Sequence, residues 1–152
     1  FHPVARDLRQ VMAVEHAVGD LERAADHAKG IGKRVISSPS AGLSGPRADM
    51  FSKLVAAALG ATEDALDAFA RRDFDLASRV IRGDRAIDAL HDDLFHSVIA
   101  GLKGSHRTVQ DVQLLFAAKS FERIGDHATN IAEEAVFMTR GQQPGATRGG
   151  KP

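Results

Sequence analysis

An all-α fold, a bundle of long helices without strands, is what this sequence predicts. Three observations predict it. Apolar residues recur at close to a 3.6-residue period along four stretches, the breaks between them collect Gly, Pro and Ser, and one helical motif occurs twice. The first stretch, Ala5 to Ile36, has no internal Pro and carries Leu8, Val11, Met12, Val14, Val18, Leu21, Ala25, Ala28 and Ile31, the pattern of one long helix. Residues 37–49 (SSPSAGLSGPRAD) break that pattern and read as a linker. Phe51, Leu54, Val55, Ala58, Ala61, Ala65 and Phe69 mark a second helix, and Arg71-Arg72-Asp73 offers a short turn into an antiparallel third. The third helix runs from about Asp73 to Gly101 with Val80, Ile87, Leu94 and Val98 in one stripe. Gly101, Gly104 and Ser105 supply the next turn, and the fourth helix spans about Val109 to Thr139. Residues 142–152 form a Gly-, Gln- and Pro-rich tail expected to be disordered.

Composition narrows the function classes. The 152 residues hold 20 Lys and Arg against 20 Asp and Glu, so no broad basic field draws the chain to nucleic acid or to an anionic membrane. Cysteine is absent, which excludes a disulfide framework and thiolate metal sites and fits a reducing, cytoplasmic setting. There is no Trp or Tyr, and the 8 Phe are expected in the core. No segment reads as a signal peptide or membrane span, and the start at Phe1 leads us to expect a fragment. No Cys nucleophile, G-x-S-x-G elbow, Walker loop or strand-borne glycine turn is present. Catalysis is therefore not expected.

The chain repeats itself. Glu22-Arg23-Ala24-Ala25-Asp26-His27-Ala28 returns as Glu122-Arg123-Ile124-Gly125-Asp126-His127-Ala128, an offset of 122 − 22 = 100 residues. Both copies lie late in a long helix. The repeated unit is thus a helical hairpin followed by a long final helix, and the first copy holds only its final helix, residues 1–36. Residues 50–141 hold a whole second copy.

Carboxylates recur at helical spacing. Glu22 and Asp26, Asp84 and Asp88, and Glu122 and Asp126 are each four residues apart and share a helix face. In water such a pair costs only a few tenths of a kcal/mol, so alone it is an ordinary solvated face. Asp84 differs because it sits with His91 inside the apolar stripe of the third helix. If the third helix packs on the fourth, Asp84, Asp88, Glu122 and Asp126 face one another, with repulsion of roughly a few kcal/mol per close pair at an effective dielectric near 20. Arg85 and Arg123 could neutralise them, or else a cation could. Oxygen-only ligands suit Mg, Ca, Mn or Fe. Asp88-x-x-His91 has the spacing found in di-iron carboxylate bundles, but His27 and His127 lie five residues after their glutamates, off that face. His16, His96 and His106 belong to no motif, and Gly30, Gly32 and Lys33 read as ordinary C-terminal helix residues.

Phe121-Glu122-Arg123-Ile124-Gly125-Asp126-His127-Ala128-Thr129-Asn130-Ile131-Ala132-Glu133 resembles the signature that closes each repeat of the PhoU family. Pro3 to Arg9 resembles the P-V-A-x-D-L-R opening of that family's first final helix. Ala77 to Leu90 resembles its A-x-x-V-I-x-x-D-x-x-I-D-x-L stretch. The resemblance implies paired three-helix bundles, the first truncated here to its last helix. It also implies a metal ion or cluster, of iron or another oxygen-preferring cation, at Asp84, Asp88, Glu122 and Asp126. Glu22 and Asp26 would be half of a companion site, where Gly30 and Gly32 replace the usual Asn and Ala. The function it implies is that of a non-enzymatic, cytoplasmic negative regulator of phosphate uptake. Such a protein links the ATPase subunit of a phosphate ABC transporter to a sensor histidine kinase and meets the membrane through those partners only. The unpartnered first helix leads us to expect a homodimer or helix exchange. A di-iron carboxylate enzyme and a metal-free structural module are the competing readings.

Overall fold

The computed structural model describes residues 2–37, 43–102 and 108–141, and all of its regular elements are helices: α1 (His2–Ser37), α2 (Pro46–Arg71), α3 (Phe74–Gly101) and α4 (Thr108–Arg140). The expected boundaries shift most at α2, which begins at Pro46 instead of near residue 50. Gly45 takes a positive φ of 74° just before it, and Pro46 starts the helix where its missing N–H costs nothing. The expected linker 37–49 is shortened at both ends, and its residues 38–42 lie outside the described residues. So does the expected tail at 142–152.

The turn between α2 and α3 is built by two residues. Arg72 adopts the left-handed conformation at φ 56°, and the Asp73 N–H bonds back to the Ala68 carbonyl at 2.9 Å. This is the Schellman arrangement usually given to Gly. Asp73 then caps α3, its Oδ1 accepting from the Asp75 and Leu76 amides at 3.0 and 2.9 Å.

Helix α4 touches all the others. It packs on α1, α2 and α3, and α2 also packs on α3; α1 packs along α4, and its Gln10 also accepts a hydrogen bond from Arg72 of the α2–α3 turn at 2.7 Å. Arg47, in the first turn of α2, donates to Asp111 in the first turn of α4 (2.8 Å) and to the Ser97 carbonyl of α3 (3.2 Å). These contacts put the starts of α2 and α4 beside the end of α3, so α2 and α4 run parallel and α3 runs antiparallel to both, each of the three packing on the other two. A Cβ at Gly101 would collide with the Arg47 guanidinium, so the glycine at the end of α3 makes room for this tie. Two apolar clusters fill the bundle. One holds Leu54, Ile87, Leu94, Val98, Leu114 and Ala118. The other surrounds Ile131, Ala132 and Val136, reaching Ala17 of α1 on one side and Ala68 and Ile81 on the other.

The two long helices use their repeat differently. Ala13, Ala17, Asp20 and Ala24 of α1 are buried against α4. The neighbouring face of α1, about 100° round the helix, at Val14, Val18, Leu21, Ala25, Ala28, Gly32 and Val35, is exposed. One hundred residues later stand Leu114, Ala118, Phe121, Gly125, Ala128, Ala132 and Ala135, all buried except the partly buried Phe121, in the helix that packs on α2 and α3. The apolar stripe on α1 is therefore the stripe that a helical hairpin covers on α4.

Contact between α1 and α4 is antiparallel. Arg34 lies over the Phe116 ring at 4.4 Å at one end, and His16 Nδ1 lies 3.0 Å from Glu134 Oε1 toward the other. Between them His27 and His127, equivalent in the repeat, stack with centroids 5.7 Å apart. Asp20, buried, accepts from His127 Nδ1 at 2.8 Å and from Asn130 Nδ2 at 3.0 Å on the same oxygen. Burial raises the Glu134 carboxyl above its ordinary value; His16 pulls it down, and Asp20 and Glu133 push it further up. A carboxyl raised in the folded state contributes stability at low pH. That contribution fades as pH rises from the ordinary value of about 4.3 through the raised native one. We expect Glu134→Gln to raise the melting temperature at pH 7 and to flatten the stability curve over that window; an unchanged curve in pH-dependent thermal melts would show that His16 fully compensates the charge.

Candidate functional site

The carboxylates of α3 and α4 meet because the helices approach closely at one point. A Cβ on Gly125 would stand 3.0 Å from Ile87 Cδ1 and 3.2 Å from its Cγ2, tighter than ordinary van der Waals contact. The glycine lets Ile87 seat directly on α4, between Glu122 and Asp126 in sequence. Asp88 follows Ile87, so seating the apolar side chain carries the carboxylate to the α4 pair.

One oxygen from each of Asp88, Glu122 and Asp126 lies within 4.8 Å of the others, and all three residues are partly buried. Asp84, the fourth predicted member, accepts a hydrogen bond at 3.0 Å from Thr129, a fully buried hydroxyl on α4. It borders the group without entering the convergent set. Lys119 Nζ forms an ion pair with the buried Glu122 Oε2 at 2.7 Å. Arg123 donates to Asp126 Oδ2 at 3.1 Å and places its Nε 3.7 Å from Glu122. Burial raises the Asp126 carboxyl above its usual range. Glu122 and Asp84 add to the rise, Arg123 opposes it, and Asp88 contributes last.

The cations that meet Glu122 and Asp126, Lys119 and Arg123, sit on α4. Arg123 was expected; Lys119 was not, although its i, i+3 spacing to Glu122 was legible. Gly125 was the other missed residue, since a glycine inside a helical pattern signals close approach only once the neighbouring helix is placed. Histidine does not join the group. His91 turns to Asp92, at 3.2 Å, and stacks on Phe95, so the di-iron spacing is not realised as a ligand set. Glu22 and Asp26 lie exposed on α1 and are not members of the convergent group. The polar pairs of His16 with Glu134 and of Asp20 with His127 and Asn130 were also missed, because they join residues 118, 107 and 110 positions apart.

Three partly buried carboxylates with one oxygen each drawn together form a donor set suited to a hard or borderline cation. The residues fit such an ion. Asp88, Glu122 and Asp126 would hold it, and its charge would relieve the repulsion that Lys119 and Arg123 only partly offset.

Comparison with known proteins agrees with this architecture. The family model described as the PhoU domain matches residues 1–35 and 51–135. A phosphate-specific transport system accessory protein PhoU homolog from Rhizobium meliloti is 37% identical over 147 residues, covering 96% of this chain and 62% of that protein. The homolog from Zymomonas mobilis is 39% identical, with 97% and 62% covered. The chain therefore spans about 62% of the length of these relatives. Among solved structures, PhoU from Pseudomonas aeruginosa superposes with a TM-score of 0.85 at 32% identity, covering 93% of this chain and 68% of that one. The phosphate transport system regulatory protein PhoU from Streptococcus pneumoniae gives 0.81 at 27% identity, covering 90% and 65%. With the motif repeated on α1 and α4, the α2–α3–α4 bundle and the family match over both segments, the chain belongs to the PhoU family.

Proposed function

We propose that this chain is a regulator of phosphate uptake that works by binding and not by turnover. In this reading it restrains phosphate uptake and the phosphate-starvation response by joining the ATPase subunit of a phosphate ABC transporter to a sensor histidine kinase, both met from the cytoplasmic side. Family membership carries the proposal, since the relatives are phosphate-specific transport system accessory proteins. Long exposed helix faces give such partners room to dock. Among the described residues no helix is long and apolar enough to cross a membrane, so membrane association would come through the partners. Deleting the gene in cells grown in abundant phosphate should switch on alkaline phosphatase. An unchanged low activity, with the deletion verified and no second copy of the gene, would overturn the regulatory reading.

In the same reading Asp88, Glu122 and Asp126 bind a cation such as Fe, Mn, Mg or Ca that stabilises the α3–α4 contact and tunes the docking surface, with Asp84 held beside it. A cation at 100 times its dissociation constant stabilises the fold by about 2.7 kcal/mol. We expect metal titration to raise the melting temperature, and Asp88→Asn combined with Glu122→Gln to abolish the rise while preserving helicity. Gly125→Ala should weaken the response too, because its methyl displaces Ile87 and with it Asp88. An equal rise in all variants would place the metal elsewhere.

The exposed apolar stripe of α1 supports one more element of the proposal, a homodimer in which a second copy covers Val14, Val18 and Leu21. Light scattering of the 152-residue chain should then give twice the chain mass, with Val18→Asp shifting it to the single mass; a compact monomer of the unaltered chain would exclude the dimer.

A further inference from the structure

A second polar site lies on the far side of α4 from Ile87, in the groove where α1 and α4 meet. Its volume is about 410 Å³, and Glu15, Asp20, Glu133 and Glu134 all line it, against one permanent cation, Arg23. Asp20, Glu133 and Glu134 are each more than nine-tenths buried. Their positions are costly without compensation, because a buried carboxylate needs a cation or a full set of hydrogen bonds. Asp20 is satisfied by His127 and Asn130. Glu134 is not: His16 engages Oε1, and Oε2 is buried with no hydrogen-bond partner. The groove thus combines an excess of negative charge with an orphaned acceptor on one of its own lining residues.

The shape selects the kind of cation. The only group of three or more potential ligand atoms that converges among the described residues is Asp88, Glu122 and Asp126, so no nest for a bare metal ion exists here. Instead the acidic residues of α1 are strung along the helix from Glu15 to Asp20, more than a turn apart, with Glu133 and Glu134 opposite. Carboxylates spaced along a groove match several ammonium groups on a flexible chain better than one small ion. Gly19 lines the groove, and a Cβ added there would stand in open space with no heavy atom within 4 Å.

We propose that the groove between α1 and α4 binds an aliphatic polyamine, whose ammonium groups pair with Asp20, Glu133 and Glu134 and bridge the two repeats. This is separate from the metal group on α3 and α4 and independent of the regulatory reading. Such a ligand acts on the packing of α1 along α4, the helix–helix contact that holds α1 on the bundle.

The test is calorimetric titration of spermidine into the full chain at fixed ionic strength and pH 7, with magnesium chloride as the competing cation. The expected result is one saturable site that magnesium does not displace at equal charge. Glu134→Gln should weaken it about tenfold, as loss of a charge-assisted hydrogen bond does. Gly19→Leu, which fills the groove without altering charge, should weaken it as well and guards against a folding effect of the buried substitution. Absence of a saturable site, equal displacement by magnesium, or weakening by Asp88→Asn in place of these two variants would each overturn the proposal.

Discussion

Packing on two opposite sides of α4 is the constraint on which the rest of this structure depends. The helix is covered by α1 along one face and by α2 and α3 along the other, so its last half has almost no solvent face: residues 131–136 are all buried. A helix can be surrounded in this way only if its side chains are small where neighbours come closest. Gly125, Ala128, Ala132 and Ala135 meet that demand. Larger residues, such as Ile131 and Val136, fill the wider spaces between helices.

Close packing also decides where charge must go. With so little surface left on α4, its acidic residues fall at the seams between helices. On the α3 seam, Asp88 meets Glu122 and Asp126, and two α4 cations offset part of the repulsion. On the α1 seam, Asp20, Glu133 and Glu134 are buried, and the groups that meet Asp20 and Glu134 include the His127 and His16 imidazoles, the Asn130 amide and, at 3.9 Å, Arg23. The first arrangement draws oxygen atoms to a point. The second spreads them along a groove. That difference in geometry, more than the number of charges, separates a setting suited to a small ion from one suited to an extended cation.

The internal repeat explains the remaining surface. Two helices with the same motif meet in an antiparallel pair, with His27 against His127 near the middle. Each has a second apolar stripe, and on α4 the α2–α3 hairpin covers it. Val14, Val18 and Val35 on α1 are exposed, whereas Leu114, Ala118 and Ala135 at the same repeat positions are buried. The same period thus lines a core on one helix and an exposed apolar face on the other, because burial depends on which helices pack against it.

Periodicity alone was enough to place four helices, since a 3.6-residue apolar rhythm has one physical meaning over such long stretches. The repeat of Glu22 to Ala28 at Glu122 to Ala128 was legible as well, and with it the pairing of carboxylates four apart on each helix. Spacing on one helix says which side chains share a face; it cannot say which face another helix will meet. Tertiary structure therefore decided that Asp88 joins Glu122 and Asp126, that Asp84 is held by Thr129, and that Glu22 and Asp26 stay exposed. It also decided that Asp20, His127 and Glu134, which belong to no shared local pattern, become neighbours across the α1–α4 seam. The physical reason is that a convergent site is fixed by the rotation and separation of packed helices, and those follow from contacts such as Ile87 on Gly125 that no single helix contains.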